Sequence, residues 1–253
     1  MNNSFEMYFR LHYEILYINS GSVTITCDTG SFCLGKGDIC IIPPTLAHKD
    51  VFTDANITKL LFKHSYLTKY FSTKILRSIN VSVNNPISLA TSDISDNTVK
   101  KLIESLKLHN GEGSYIFLLK LMNSRQNNAY SGYSPLSTSL YNIFKSSKNH
   151  LKEKNNLSVI ACECNLSKSH ICRTMKRSFG ISPTDYNNYL KVKNAVLQLQ
   201  TSSSTIAKIS EDLSFSSPKY FTKIFKTFFG ISPSQFRKNE PDTPGKNYYI
   251  NHI

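Results

Sequence analysis

The sequence has few acidic residues, no CxxC cysteine pair and no run of eighteen apolar residues. Without such a run it lacks a transmembrane segment, and its start, MNNSFEMYFR, lacks the basic and apolar regions of a secretory signal. Neither cysteines nor histidines follow the spacing of tetrahedral zinc sites. These absences predict a soluble protein of a reducing cytoplasm, with no membrane partner and with buried free thiols at positions 27, 33, 40, 162, 164 and 172.

Basic residues dominate the charge of the chain. There are 30 Lys and Arg against 17 Asp and Glu, a formal net charge of +13. Residues before 151 include 15 basic and 10 acidic side chains (+5), and the shorter remainder includes 15 and 7 (+8). Such an excess favours a polyanionic partner.

The N-terminal part has the pattern of strands. Between residues 5 and 63 the apolar runs YEILYI, VTITCD and FCLGKGDICIIPP are separated by SGS and TGS. Gly21, Gly30, Gly35 and Gly37 stand at the breaks, where a positive φ is often required. The pattern predicts a small antiparallel β unit, either a sandwich or a barrel.

Helical spacing replaces this alternation after residue 95. Residues 123–135, NSRQNNAYSGYSP, have the composition of a loop, and helical spacing resumes over 136–151. We therefore divide the chain into a β domain (1–95), a helical segment and linker (96–150), an all-α domain (151–240) and a tail (241–253). The apolar positions of the first predicted helix are Val99, Leu102, Ile103 and Leu106, and a second helix covers Ile116 to Met122.

An internal repeat is the most informative feature of the sequence. The segment FGISP at residues 179–183 returns fifty residues later at 229–233. Two copies of one structural unit, at 157–180 and 205–230, are the simplest explanation.

Each copy has the pattern of two short helices joined by a tight turn. In the first, Asn165 tolerates a left-handed turn, Ser167 can cap a second helix over 168–178, and Gly180 can end it. Its first helix has apolar positions at Leu157, Ile160, Ala161 and Cys164, and its second buries Ile171 and Met175.

The second copy repeats the pattern with a proline at its second helix. Ser214 and Phe215 form the turn, Ser216 or Ser217 is the cap, and Pro218 falls where a missing N–H costs little. Its first helix uses Ile206, Ile209, Ser210 and Leu213, and its second buries Phe221, Ile224 and Phe225. A helix over 185–200, apolar at Tyr186, Tyr189, Leu190, Val192, Ala195, Val196 and Leu199, joins the two copies.

The exposed faces of the two second helices are short and basic, and such helices fit the major groove. Arg or Lys there can donate to guanine O6 and N7 while neighbouring Lys, Ser and Thr hold phosphates. The predicted DNA-binding residues are Lys168, Ser169, Cys172, Arg173, Lys176 and Arg177 in the first helix and Pro218, Lys219, Tyr220, Thr222, Lys223 and Lys226 in the second. The alternative is that the Lys and Arg side chains of these helices are solvated surface charges that contact no DNA.

Residues 157–186 and 205–238, with KVKNAVLQL (191–199) between them, strongly resemble the DNA-binding domain of the AraC/XylS family of bacterial transcription regulators. The resemblance implies a regulator, more often an activator, that binds double-stranded promoter DNA and acts on RNA polymerase. By position in the motif, the base-reading residues would be Ser169, Cys172 and Arg173, and then Pro218, Lys219, Thr222 and Lys223. The chain departs from the family pattern at Lys191, where Arg is usual, and at Ser214, where Gly is usual.

Residues 12–48 resemble the cupin-like sensor half of many members, through GKGDICIIPPTLAH. The implied fold is an α+β two-domain chain, with an N-terminal cupin-like β-barrel or sandwich and flanking helices, then an all-α domain with two helix-turn-helix units. The resemblance also implies a small-molecule effector in the β domain and a homodimer formed through residues 96–127.

The candidate effector-pocket residues are Tyr8, His12, Glu14, Tyr17 and His48. Tyr8, Phe9, Tyr13, Tyr17 and Phe32 could instead form plain core, which alternating aromatic residues favour. His12, Glu14 and His48 are also conceivable metal ligands, but the HxH pair of cupin enzymes is missing, so no metal and no cofactor are predicted.

An enzyme is the main alternative to a regulator. A cupin-type isomerase or dioxygenase with a basic helical appendage would share the overall pattern, but the missing ligand set argues against it. Cys162, Cys164 and Cys172 lie close together along the first copy, as in a redox switch, although burial in a helical core is the more common role of cysteine.

Overall fold

The structure, a computed structural model, describes residues 7–62, 87–89, 101, 104, 132–153, 156–238 and 248–249. The chain forms two compact units, one mainly of residues 9–135 and one mainly of residues 136–253. Apart from the helical positions 101 and 104, the helices predicted at 99–106 and 116–122, and with them the proposed dimer helices at 96–127, lie outside the described residues.

The first unit is built on an antiparallel sheet. Strand β2 is its centre, because it pairs with β3, β4 and β5, while β4 pairs with β6 and β3 with β7. The strands are β1 (Tyr8–Phe9), β2 (Tyr13–Cys27), β3 (Gly30–Leu34), β4 (Ile39–Ile42), β5 (His48–Phe62), β6 (Ile87–Leu89) and β7 (Tyr133–Pro135).

Strand β2 runs through the SGS segment, which the sequence predicted to be a break. The register against β5 shifts between Ile18 and Ser20 and again between Ser20 and Ser22, so the irregularity is absorbed within the strand. Gly21 has φ 73°, and a Cβ there would lie 2.2 Å from the Asp54 carbonyl oxygen. Only glycine therefore fits this position.

Of the four glycines at the predicted breaks, Gly21 and Gly37 have a positive φ, and Gly30 and Gly35 do not. A Cβ at Gly30 would lie 2.4 Å from the ring of Tyr133, so close packing is the reason for glycine there.

The segment 123–135 does not end as a loop, because residues 133–135 form β7. Tyr133 lies with its ring 5.2 Å from that of Phe32, and its hydroxyl donates to the Thr29 carbonyl at 2.8 Å. Pairing with the edge of β3 thus overrides a composition typical of loops.

A buried apolar cluster fills this unit, and Phe32 is part of it. Tyr8, Phe9, Tyr13 and Tyr17 are buried as well, and burial raises the pKa of Tyr13 to about 12. The cluster comprises Leu16, Ile18, Val23, Ile25, Cys27, Phe32, Leu34, Cys40, Ile42 and Leu46.

The second unit is helical, apart from β8 (Tyr248–Tyr249). Its helices are α1 (Thr138–Asn149), α2 (Asn156–Glu163), α3 (Lys168–Phe179), α4 (Pro183–Thr201), α5 (Ile206–Asp212), α6 (Pro218–Phe229) and α7 (Pro233–Lys238). Phe144 of α1 packs its ring against Phe179 and Tyr186, at 4.9 and 4.8 Å. The predicted α+β class, with a β domain before an all-α domain, is confirmed.

In the parts of the chain that the structure describes, no helix combines the length and the apolar character that crossing a membrane requires.

Candidate nucleic-acid interface

The first helix-turn-helix unit consists of α2, a tight turn and α3. Asn165 adopts the left-handed conformation with φ 56°, and the Leu166 amide donates to the Ala161 carbonyl at 3.0 Å. The Ser167 hydroxyl accepts from the His170 amide at 3.1 Å and caps α3, which ends at Gly180 with φ 73°. The turn, the cap and the terminating glycine predicted for this unit are confirmed.

The second unit, α5 and α6, repeats this geometry with a longer turn. Ser214 takes the left-handed position with φ 54°, and the Phe215 amide donates to the Ser210 carbonyl at 3.0 Å. Ser217, not Ser216, caps α6 by accepting from the Tyr220 amide at 3.1 Å. Asn165 stands two residues before its cap and Ser214 three, so the second turn is one residue longer than the first.

Helix α3 buries one face and exposes the opposite one. Ile171 and Met175 are buried as predicted, and Phe179 joins them. Of the predicted DNA-binding residues, Cys172 is half-buried, and the exposed ones are Lys168, Ser169, Arg173, Lys176 and Arg177.

Helix α6 buries more of its surface than α3. The predicted set of Phe221, Ile224 and Phe225 is extended by Phe228 and Phe229. Thr222 is half-buried, and the exposed residues of the predicted interface are Pro218, Lys219, Tyr220, Lys223 and Lys226.

Helix α4 joins the two units and also contacts the second turn. The seven apolar positions predicted for this helix are all buried. Lys191 is buried too: its Nζ donates to the Ser214 carbonyl at 2.7 Å and lies 5.2 Å from the centre of the Phe215 ring. Burial lowers the pKa of Lys191. Two of the positions at which the sequence departs from the family pattern, Lys191 and Ser214, therefore contact each other.

An open depression of about 680 Å³ on α3 was not predicted. It is lined by His170, Arg173, Thr174, Lys176 and Arg177, and we call it the α3 basin. The i, i+3, i+4, i+7 spacing of His170, Arg173, Thr174 and Arg177 puts these four on one helix face, which is the signal that sequence reasoning missed.

The β-sheet unit contains a group of titratable side chains, buried except for the half-buried Lys59, which we call the β-domain polar cluster: Arg10, Glu14, His48, Asp50 and Lys59. Glu14, His48 and Asp50 bring side-chain donor atoms within 4.8 Å of one another. Glu14 pairs with Arg10 and, at 2.6 Å, with the ammonium of Lys59. Of this cluster the sequence identified only Glu14 and His48, although His48 and Asp50, two residues apart on β5, share one face of the strand.

The histidine of this cluster is held by a backbone carbonyl. Nδ1 of His48 donates to Leu46 O at 2.9 Å, and Nε2 lies 3.7 Å from Oδ1 of Asp50. Burial lowers the pKa of His48, and burial with the nearby Arg10 lowers the pKa of Lys59 to about 8. Two carboxylates and an imidazole would suit a divalent cation, but Arg10 and Lys59 already balance the charge of the carboxylates.

His12 and Tyr8 complete the predicted effector-pocket set, and both are buried, as are Glu14, Tyr17 and His48. A residue that lines a pocket and a residue of the core are both expected to be buried, so the pocket stays a prediction.

The expectation of buried thiols is wrong for two cysteines. All six described cysteines are free, but Cys33 and Cys162 are exposed, while Cys27 and Cys40 are buried. Cys164 and Cys172 are half-buried. Cys162 follows the buried Ile160 by two positions, and the helical turn carries it to the solvent side of α2.

Two family models match the chain. The model of the AraC-like ligand binding domain matches residues 1–109, and the model of a helix-turn-helix domain matches residues 160–239. The two matches follow the order of the two compact units.

Similar proteins include an uncharacterized HTH-type transcriptional regulator of Bacillus subtilis, 22% identical in an alignment of length 249 that covers 89% of this chain and 85% of that protein. The arabinose operon regulatory protein of Escherichia coli is 30% identical over 89 residues, 35% of this chain and 30% of that protein. The crystal structure of ToxT from Vibrio cholerae O395 covers 94% of this chain and 95% of its own, with 13% identity and a TM-score of 0.43. With a ligand-binding match before a helix-turn-helix match and regulators as relatives, the chain belongs to the AraC/XylS family of bacterial DNA-binding transcription regulators.

Proposed function

We propose that α3 and α6 enter two successive segments of the major groove on one face of promoter DNA. The equivalence of the two helices is the observation that supports this most directly. Each begins at a serine cap, ends at a left-handed glycine, buries one face and exposes basic and small polar side chains on the other. Helices of this kind read base edges in the major groove.

The proposed base readers are the residues that stand at the base-reading positions of the family motif. Arg173 can place two N–H donors on guanine O6 and N7, and Lys223 stands at the equivalent position of α6. Thr222 offers a methyl group for thymine and a hydroxyl for other bases. The other proposed readers are Ser169, Cys172, Pro218 and Lys219, and the proposed phosphate contacts are Lys168, Lys176, Arg177, Tyr220 and Lys226.

Helix α4 would set the distance between the two contacts. Its 19 residues span about 28 Å, and units on one face of a duplex must be roughly 34 Å apart, one helical turn. A rigid connecting helix of this length is compatible with that spacing.

The test is site selection from random duplexes followed by gel-shift titration of variants. Arg173→Ala and Lys223→Ala should each weaken binding to the selected site by about 1–3 kcal/mol and relax the preference at one base position. Lys145→Ala, on the exposed face of α1, is the control and should bind normally. Normal binding by both interface variants would disprove the mechanism.

We also propose that the β domain binds a small-molecule effector, since it matches the AraC-like ligand binding domain. The buried set Tyr8, His12, Glu14, Tyr17 and His48 would supply the polar contacts to that compound. A thermal-shift screen should find a compound that stabilises the parent chain. Tyr17→Phe, which removes one hydroxyl, should reduce that shift, whereas the exposed control Lys36→Gln should not; equal shifts would remove Tyr17 from the pocket.

The remaining elements of the proposal follow from the family. The regulator would act in the cytoplasm as a homodimer, activate transcription through RNA polymerase and have no catalytic activity. Family membership argues against a cupin-type enzyme. Metal analysis of the purified protein tests this point, because tightly held stoichiometric iron would favour the enzyme.

A further inference from the structure

Helix α5, the first helix of the second helix-turn-helix unit, is short and buries little of its surface. It has seven residues, of which only Ile209 and Ser210 are buried. A helix of this length is not stable by itself in water, so its position depends on contacts with neighbouring elements. The orientation of α6 depends in turn on α5, because only residues 213–217 separate the two helices.

Two cationic side chains hold backbone carbonyls on either side of α5. After the end of the helix, Lys191 of α4 donates to the Ser214 carbonyl at 2.7 Å. Before its start, Nη2 of Arg237 in α7 donates to the Ser204 carbonyl at 2.6 Å. Hydrogen bonds from a charged donor are stronger than those between neutral groups. Ser204 directly precedes Thr205, the residue that caps α5, so Arg237 fixes the point at which this helix begins.

Arg237 can hold this carbonyl in place because α7 is itself packed on α6. The preceding residue, Phe236, is buried, and its ring lies 5.1 Å from that of Phe229 and 5.3 Å from that of Phe225. The guanidinium is partly enclosed as well, since its Nε atom is buried. Helix α7 therefore connects the core of α6 with the segment that leads into α5.

The first helix-turn-helix unit has no arginine at the equivalent position. The fifty-residue repeat places Asn187 of α4 where α7 has Arg237. An open pocket of about 340 Å³ lies there, lined by Asn187 and by residues 156–158 at the start of α2. Oδ1 of Asn187 is buried without a hydrogen bond to any residue that the structure describes. The start of α2 is held by α1 instead, because Nδ2 of Asn156 donates to the His150 carbonyl at 2.6 Å.

We propose that Arg237 is a positioning residue for DNA binding, which fixes α5, and through it α6, at the separation from α3 that matches the duplex. This inference rests on the proposed function. Side chains that recognise a ligand must be held within about 0.5 Å and 10–20° of the productive geometry. One additional base pair between the two contacted segments rotates the second segment by about 34–36°. A recognition helix held in one orientation cannot follow such a displacement.

The experiment compares the binding of the full-length chain to three duplexes, by fluorescence anisotropy at one salt concentration. The first duplex carries the selected site, and the second has one base pair inserted between the two contacted segments. In the third, the segment whose preference Lys223→Ala relaxes is replaced by random sequence. The parent should bind the inserted duplex at least about tenfold more weakly than the selected one, which corresponds to the loss of one base contact.

Arg237→Ala should bind the selected duplex more weakly than the parent does. Its penalty for the inserted base pair should fall from about tenfold to about threefold, because α6 can then follow the displaced segment. Arg237→Ala should still prefer the selected duplex to the third one, since a displaced α6 reads bases whereas an unfolded second unit reads none. Lys238→Ala is the charge-matched control, because it removes an exposed cation from the next position of α7 and should keep the penalty of the parent.

Each of the other results decides between the two proposals. Arg237→Ala with the full penalty of the parent would overturn the positioning role. Equal binding of Arg237→Ala to all three duplexes would overturn it as well, because Arg237 would then be needed only for folding. A parent that tolerates the inserted base pair but not the third duplex would show that the separation is not fixed, and the proposed function would stand without the positioning role. If the parent binds the three duplexes equally, the proposed function itself fails.

Discussion

The two helix-turn-helix units share their helix order, serine caps and terminating glycines but have different interiors. The second is filled with phenylalanine: the ring of Phe225 lies 4.6 Å from Phe229, 5.3 Å from Phe236 and 5.7 Å from Phe221. The first has Met175 at the position of Phe225, and Ile171 at that of Phe221. One backbone design thus tolerates very different cores, as long as the caps and the terminating glycines are kept.

This difference predicts that one helix-turn-helix unit contributes more to stability and the other contributes more to DNA binding. Helix α6 buries five residues and keeps one narrow polar face, whereas α3 buries three and leaves room for the basin. Larger apolar burial stabilises the second unit more. The wider cationic face should make the first unit the better electrostatic anchor.

The largest expected effect comes from truncating the two equivalent core residues. Phe225→Ala should lower the free energy of unfolding by about 3–5 kcal/mol, because it opens a cavity among three aromatic neighbours. Met175→Ala should cost less, at the lower end of the range of about 2–5 kcal/mol. Urea unfolding followed by circular dichroism measures both, and equal losses would show that the aromatic core gives the second unit no advantage.

The next effect concerns Lys191, whose ammonium donates a hydrogen bond to the turn of the second helix-turn-helix unit. Lys191→Met should destabilise the chain by about 1–3 kcal/mol, because the Ser214 carbonyl loses its donor in a half-buried place. Lys191→Arg keeps a donor and is the matched control. A neutral Lys191→Met in thermal unfolding would mean that water replaces the ammonium at no cost.

Local signals explain why the helix-turn-helix units were predictable. Caps, left-handed residues and terminating glycines act within a few residues, so Ser167, Asn165 and Gly180 could be assigned from the sequence. The repeat then supplied a second copy against which each assignment could be checked.

Features that depend on distant pairing were not predictable in the same way. In the β2–β5 ladder Glu14 lies opposite Leu61 and Asp50 lies opposite Ile25, so the two carboxylates approach each other only through the tertiary fold of the sheet, and their sequence neighbours give no sign of it. The strand at residues 133–135 exists because the edge of β3 accepts it. The α3 basin was missed for another reason. Residue spacing predicts which face of a helix is exposed, but it does not predict the shape of that face.

A smaller effect should distinguish the two left-handed turn residues. Ser214→Gly should stabilise the chain by about 0.5–1 kcal/mol. A non-glycine residue in the left-handed conformation costs roughly 1–2 kcal/mol. Glycine removes that strain, but it loses more backbone entropy on folding, which cancels part of the gain. Asn165→Gly should be nearly neutral, since asparagine tolerates this conformation. The melting temperatures of the two variants measure the difference, and equal shifts would mean that the longer second turn relieves the strain at Ser214.

The smallest expected effect is the loss, in acid, of a contact made by the first helix-turn-helix unit. Glu163 accepts a hydrogen bond from Ser146 and lies 3.0 Å from Nε2 of His150, whereas its equivalent Asp212 pairs with Lys208 on the same helix at 3.2 Å. The Ser146 hydroxyl, and then the charge of His150, lower the pKa of Glu163. A carboxylate with a lowered pKa in the folded state stabilises the fold above its unfolded-state pKa, about 4.3 for Glu, and that contribution is lost as the pH falls through the folded-state value.

Glu163→Gln should therefore melt below the parent chain at neutral pH, and the gap should close as the pH falls below about 4.3. The Asp212→Asn variant provides the comparison, because its partner Lys208 lies on its own helix and ties no second helix to the unit. Melting curves at a series of pH values measure both gaps. A gap for Glu163→Gln that stays constant through the acid range would mean that the link between α1 and α2 does not depend on the carboxylate charge.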